Sequence, residues 1–190
     1  MNMTIPVNVP HPVKLRIEDF EVLDRTGAFA DLKKVELIEG MIVGMSAEFR
    51  PHTFVKSQLM YRLQAALEAT GSRFSAVVEP TLALPPYNLP EPDVAVVDAP
   101  MARDYFRIEH IALVVEVSDT TLENDLGAKL ALYARHGVPE YWVVDLAETT
   151  VHQFWSVSAE GFSHRRSLPL AGAVPSATLP DLVIDGTGLV

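Results

Sequence analysis

The chain has 190 residues, 48% of them hydrophobic and 21% charged, with a formal net charge of −10. That balance predicts one globular domain over residues 1–190 and excludes a disordered or low-complexity chain. The sequence contains no cysteine, which removes disulfides, thiolate zinc sites and cysteine nucleophiles together, and the acidic surplus counts against a partner gripped through many phosphate contacts.

Met1 to Leu15 carries Pro6, Pro10 and Pro12 without the basic and apolar regions of a signal peptide, and reads as an extended arm. Arg16 to Asp24 places Ile17, Phe20 and Leu23 at helical spacing. Val35–Ile38 and Met41–Val43 flank Glu39-Gly40, a turn pair that predicts a β-hairpin. From Pro51 to Ala69, Val55, Leu59, Leu63, Ala66 and Leu67 form an apolar stripe, with Lys56, Arg62, Gln64 and Glu68 assigned mostly to the opposite face. Strand-like runs follow at Phe74–Val78 and Thr81–Leu84. The prolines between Pro85 and Pro92 then predict an ordered, extended loop. Asp93–Val97 and Ile111–Val117 are rich in β-branched residues, and the second is apolar on both faces, as a strand covered on each side should be. Asp125–His136 reads as a helix stopped by Gly137, and Tyr141–Val144 as the strand completing a βαβ crossover. Val151–Trp155, Phe162–Leu168 and Leu182–Ile184 suggest further antiparallel strands. The expected fold is therefore α/β, with a mixed sheet flanked by helices and extra antiparallel strands toward the C-terminal end. No run approaches the roughly 20 apolar residues of a membrane helix, so the expectation is a soluble, cytoplasmic protein without a membrane partner.

Glu116 interrupts a run whose neighbours Val114, Val115 and Val117 indicate burial. A buried carboxylate is protonated, paired with a cation or bound to a metal, unless it sits at the sheet rim facing water. Asp93 opens a strand after Pro92, where a turn or cap role is common. Two carboxylates on adjacent strands would suit Mg²⁺, which takes one or two of them and fills its octahedron with water and phosphate. Lys129 follows Asp125 by one helical turn, the spacing of a surface pair worth roughly 0.3–0.5 kcal/mol. It is also the only lysine after Glu116, hence the candidate cation for the strand ends. Glu36 lies in the first hairpin strand. His52, near the start of the long helix, has no second histidine at metal spacing and reads as a capping or hydrogen-bonding residue, which argues against zinc. Phosphate-binding glycine loops and a serine nucleophile elbow are missing from the sequence.

Taken together, Val35-Glu36-Leu37-Ile38-Glu39-Gly40, His52, Pro92-Asp93-Val94-Ala95-Val96-Val97, Val115-Glu116-Val117-Ser118, Asp125 with Lys129 and Tyr133, and Gly137 to Asp145 resemble the Uma family of restriction-endonuclease-like proteins, within the PD-(D/E)XK nuclease superfamily. The resemblance implies a restriction-endonuclease-like core with Asp93, Glu116 and the Val117 carbonyl as Mg²⁺ ligands, Mn²⁺ substituting, and Lys129, Glu36 and His52 as further catalytic residues. In the standard pattern the lysine stands two residues after the glutamate, where this chain has Ser118; Lys129 inherits the role from the next helix. Glu36 would hold a second metal or pair with Lys129. The implied reaction is phosphodiester hydrolysis of nucleic acid, DNA ahead of RNA, with a homodimer as the candidate assembly. A bound metal with Lys129, Arg103 or Arg107 would form a local positive patch on the acidic chain. Two alternatives stand beside it: an inert interaction or regulatory module that keeps the nuclease fold, which the net charge favours, and a hydrolase of small phosphorylated molecules.

Overall fold

Continuously buried central strands, covered by a helix on each face, form the middle of a six-stranded mixed sheet. The computed structural model describes residues 12–45 and 47–190, so most of the expected N-terminal arm, Met1–His11, lies outside the described residues. The elements are α1 (Ile17–Arg25), β1 (Val35–Ile38), β2 (Met41–Gly44), α2 (Arg50–Ala69), β3 (Ser75–Val78), β4 (Leu82–Ala83), β5 (Val94–Val97), β6 (Phe106–Arg107) and β7 (Ile111–Ser118). There follow α3 (Leu122–Asn124), a π-helical turn (Asp125–Lys129), α4 (Leu130–Arg135), β8 (Glu140–Asp145), β9 (Thr150–Ser158), β10 (Gly161–Pro169), β11 (Ala173–Pro175) and β12 (Val183–Asp185). The sheet order is β10-β9-β8-β7-β5-β3, antiparallel except between β7 and β8, which the π turn and α4 connect as a βαβ unit.

β7 is buried along its whole length, as its two-sided apolar sequence predicts. Leu59 and Leu63 of α2 pack with Val94, Val96, Val115 and Trp142 on one face. Leu132 and Tyr133 of α4 pack with Ala95, Val114, Tyr141 and Val143 on the other. Each such side chain contributes about 1.5–3 kcal/mol of burial, so the sheet is held from both sides.

The β1–β2 hairpin turns at Glu39 and Gly40, both with positive φ, and a Cβ at Gly40 would come within 2.6 Å of the Lys14 Cβ. The turn therefore needs glycine for its conformation and for the approach of the N-terminal segment. A Leu37–Leu89 bridge ties the hairpin to the segment entering β5.

Three expectations are corrected. The proline-rich passage is a tight turn with a cis Pro85–Pro86 peptide, closed by the Leu84–Asn88 bridge, because the Leu84 amide finds the Asn88 carbonyl at 3.0 Å. Lys56 is buried instead of facing water, since the carboxylates of Glu48 and Glu79 meet its ammonium at 2.7 and 2.9 Å. The helix expected from Asp125 begins with a π turn; the strand expected at Leu182–Ile184 is β12, which pairs antiparallel with β11, a strand that the sequence pattern does not announce.

Candidate active site

The register between β5 and β7 pairs Val94 with Val115, which sets Asp93 and Glu116 opposite each other where the two strands meet the cavity. Both are buried, at 6% and 3% exposure. Asp93 is oriented by β7 itself, for the Val117 amide donates to its Oδ2 at 2.7 Å. Its other neighbours come from α2: His52 Nε2 lies 3.2 Å from the same oxygen and Lys56 Nζ 3.8 Å from Oδ1. Burial alone would raise the Asp93 pKa, but His52 and the Val117 amide outweigh it and hold the carboxyl below the ordinary aspartate value.

Glu116 faces α4. Lys129 Nζ and the Tyr133 hydroxyl donate to its Oε1 at 2.9 and 2.8 Å, which leaves Oε2 without a side-chain donor among the described residues. Burial pushes Glu116 up to about 8 despite the Lys129 ammonium, with Asp93, Asp125 and Glu36 adding to the shift. Burial disfavours charge on Lys129, yet Glu116, Glu36 and Asp125 overcome it and raise its pKa above that of an ordinary lysine. The surface-pair expectation for Lys129 and Asp125 is thereby corrected: Lys129 is 7% exposed and its ammonium sits on Glu116, with Glu36 Oε1 at 4.0 Å. Of the two roles open to Glu36, the geometry has it beside Lys129, its Oε1 also accepting the Glu91 amide at 2.8 Å.

Asp125 is turned inward. Its Oδ2 accepts the Ser118 hydroxyl and, at 2.6 Å, the Thr121 hydroxyl, while its carbonyl accepts the Tyr141 hydroxyl at 3.0 Å. Ser118 occupies the position where the superfamily pattern has lysine. Here it anchors the π turn that brings Lys129 to Glu116, and a π turn is a feature often found at functional sites.

Asp93, Glu116, Val117, His52 and Lys129 line one cavity of about 500 Å³. Glu36 stands behind Lys129. Arg103 and Arg107, expected to add positive charge, do not line it; Arg107 is paired with Glu109 at 2.9 Å, and Lys34 stands in the wall instead. Six carboxylates, of Glu48, Glu91, Asp93, Glu116, Asp119 and Asp125, face two lysines in that wall. The surplus favours a cation, and the donors fit a hard divalent ion: two carboxylates from neighbouring strands, one with an oxygen free of side-chain donors. Glu48, His52 and Asp93 also offer ligand atoms within 4.8 Å of one another. His52 Nδ1 is buried without a hydrogen bond, with Glu48 Oε2 3.2 Å away.

Sequence reasoning missed Glu48, Lys56 and the role of the Tyr133 hydroxyl. Part of the signal was present in the spacing: Glu48, His52 and Lys56 recur every four residues, as do Asp125, Lys129 and Tyr133, and His52 and Lys56 share one side of α2 with Glu48 just ahead of its start.

A mixed sheet sandwiched between helices, with two carboxylates and a lysine at the meeting of its central strands, defines an α/β domain of nuclease-like fold. The chain belongs to the Uma2 family, described as "Putative restriction endonuclease", whose model matches residues 17–185. No curated protein matches the chain significantly. Among solved structures it is similar to "a putative nuclease belonging to DUF820 from Anabaena variabilis ATCC 29413", with a TM-score of 0.61 and 16% identity over 85% of this chain and 94% of that one. At that identity the likeness is one of fold. Among the described residues no helix is long and apolar enough to cross a membrane.

Proposed function

We propose that the protein is a metal-dependent endonuclease that hydrolyses phosphodiester bonds of nucleic acid, DNA ahead of RNA, with Mg²⁺ as the working ion and Mn²⁺ as its substitute. The observation that carries this reading is the meeting of Asp93 and Glu116 across the β5–β7 register in a cavity where the Lys129 ammonium lies 2.9 Å from Glu116. Asp93 and Glu116, with the Val117 backbone, are the residues to hold the ion. A divalent ion held there would supply Lewis acidity toward the phosphate and toward the attacking water.

The chain's own residues do the positioning. The Val117 amide and His52 keep Asp93 ionised and aimed, so its carboxylate needs no reorganisation before use. Tyr133 and Lys129 fix Glu116 through one oxygen and leave the other for a ligand. Lys129 keeps its proton because several carboxylates surround it, and it is the group that stabilises negative charge developing on the phosphate. Glu36 holds the lysine from behind.

The test is incubation of the purified protein with single- and double-stranded DNA and RNA in Mg²⁺, Mn²⁺ or chelator. Cleavage is expected with metal and not with chelator, and Asp93→Ala should lower it on the order of 100-fold or more. Cleavage that survives Asp93→Ala, or no cleavage with any substrate and metal, refutes the proposal. The alternative, an inert module, predicts equal Mn²⁺ affinity by calorimetry in the native protein and in Glu116→Gln.

A further inference from the structure

The helix that delivers Lys129 has a second side. While Asp125 and Lys129 face the catalytic cavity, Leu126 and Leu130 look into a separate cleft of about 430 Å³ closed by His152 and Phe154 of β9 and by Arg165, Arg166 and Ser167 of β10. Of the three clefts described, this one has no carboxylate in its lining, on a chain whose net charge is −10.

The cleft has a polar rim and an apolar floor. His152 Nδ1 and the Ser167 hydroxyl are 2.9 Å apart at the rim. Asp145 has its Oδ2 3.9 Å from His152 Nε2, and its Oδ1 accepts the amides of Ala147 and Glu148. Arg165 is exposed, and among the described residues its guanidinium has no carboxylate at ion-pair distance. Arg166 also borders the cleft, but its guanidinium is engaged elsewhere, donating to Gln153 and to the Pro175 carbonyl and lying over Trp155. Arg165 is therefore the cation of this cleft that is available to a ligand.

The register also relates the cleft to the catalytic residues. Glu116 pairs with Val143, Val143 with His152, and His152 with Ser167. Residues opposite one another in a sheet point to the same face, so His152 and Ser167 share the face of Glu116. At about 4.8 Å per strand, Ser167 lies roughly 14 Å along that row. That is about four base-pair steps, at about 3.4 Å of helix axis per step.

We propose that this cleft is an anion subsite for the nucleic-acid strand, taking a backbone phosphate on Arg165, His152 and Ser167, with the adjoining sugar against Leu126, Leu130 and Phe154. It deepens the nuclease reading and rests on it for the identity of the ligand. It also explains how so acidic a chain holds a polyanion: contact is concentrated at a metal site and one outlying cation, in place of a basic stripe.

The experiment is fluorescence anisotropy of end-labelled DNA and RNA oligonucleotides of about 20 nucleotides with the full chain in Ca²⁺ across a salt series, where each phosphate contact contributes about 0.7–0.9 to the log–log slope. Arg165→Ala should weaken binding several-fold at low salt and reduce the slope by about one contact, while Arg165→Lys retains most of both. Mn²⁺ binding by calorimetry should be unchanged in both variants. An unaltered affinity and slope in Arg165→Ala overturns the subsite, as does failure of the native protein to bind either oligonucleotide. The two proposals fail separately: a slope change without cleavage in any metal removes the nuclease reading and keeps the subsite, whereas cleavage with an unchanged slope removes the subsite alone.

Discussion

Replacing Lys129 by methionine keeps most of the aliphatic stem and deletes the ammonium, so the loss reports charge more than packing. In the structure that ammonium is 8% exposed by side chain and lies 2.9 Å from Glu116 and 4.0 Å from Glu36. Breaking a buried pair of this kind typically costs about 3–5 kcal/mol, against about 0–1 kcal/mol for an exposed pair. For a chain of this size each kcal/mol lowers the melting midpoint by about 2–4 °C, so Lys129→Met should melt roughly 6–20 °C below the native protein. Because Glu116 titrates at about 8 and Lys129 well above the ordinary lysine value, near pH 9 both members are charged. The penalty should be greatest there. It should shrink toward pH 6, where Glu116 has taken up a proton and no longer needs the ammonium. Urea unfolding followed by the fluorescence of the buried Trp142 measures the loss directly. In a Glu116→Gln background, the same Lys129→Met change should be cheaper by about 0.5–3 kcal/mol. A loss below about 1 kcal/mol at pH 9, or strict additivity of the two substitutions, refutes the buried-pair argument.

Two further outcomes follow from the same geometry. An ion at Asp93 and Glu116 must displace the proton that burial holds on Glu116, so Mn²⁺ affinity should rise about tenfold per pH unit up to about pH 8 and flatten above it. Calorimetry at pH 7 in two buffers of different ionisation heat should show about one proton released per ion, and pH-independent affinity would contradict the assignment. Glu140 accepts hydrogen bonds from Trp142 Nε1, the Ser176 hydroxyl, the Ala177 and Thr178 amides and the Thr178 hydroxyl, at 2.6–2.9 Å. Glu140→Ala strands these donors and should lower unfolding stability by about 3 kcal/mol or more while leaving Mn²⁺ binding intact. A loss within about 0.5 kcal/mol would show that the clasp contributes nothing.

The sequence by itself determined the parts whose signal is local. The β-branched run Ile111–Val117 emerges as the two-sided strand β7, the leucine stripe of Pro51–Ala69 as α2, and Glu39-Gly40 as the hairpin turn. Each is decided by neighbours within a few residues, through side-chain period or backbone conformation. Family motifs carried the nuclease-like fold, and the same motifs named Asp93, Glu116, Val117, Lys129, Glu36 and His52, which the folded chain gathers at or beside one cavity. Tertiary structure alone decided what those charges do. Lys129 and Glu116 are 13 residues apart in the chain, and whether the lysine meets Asp125 or Glu116 depends on the rotation of the π turn anchored by Ser118 and Tyr141. Lys56 lies on a helix whose polar residues were expected outside, and its burial becomes favourable once Glu79, from beyond β3, joins the nearby Glu48 at its ammonium. A charge is buried when partners from distant parts of the chain offset its desolvation, and sequence spacing does not record which partners those are.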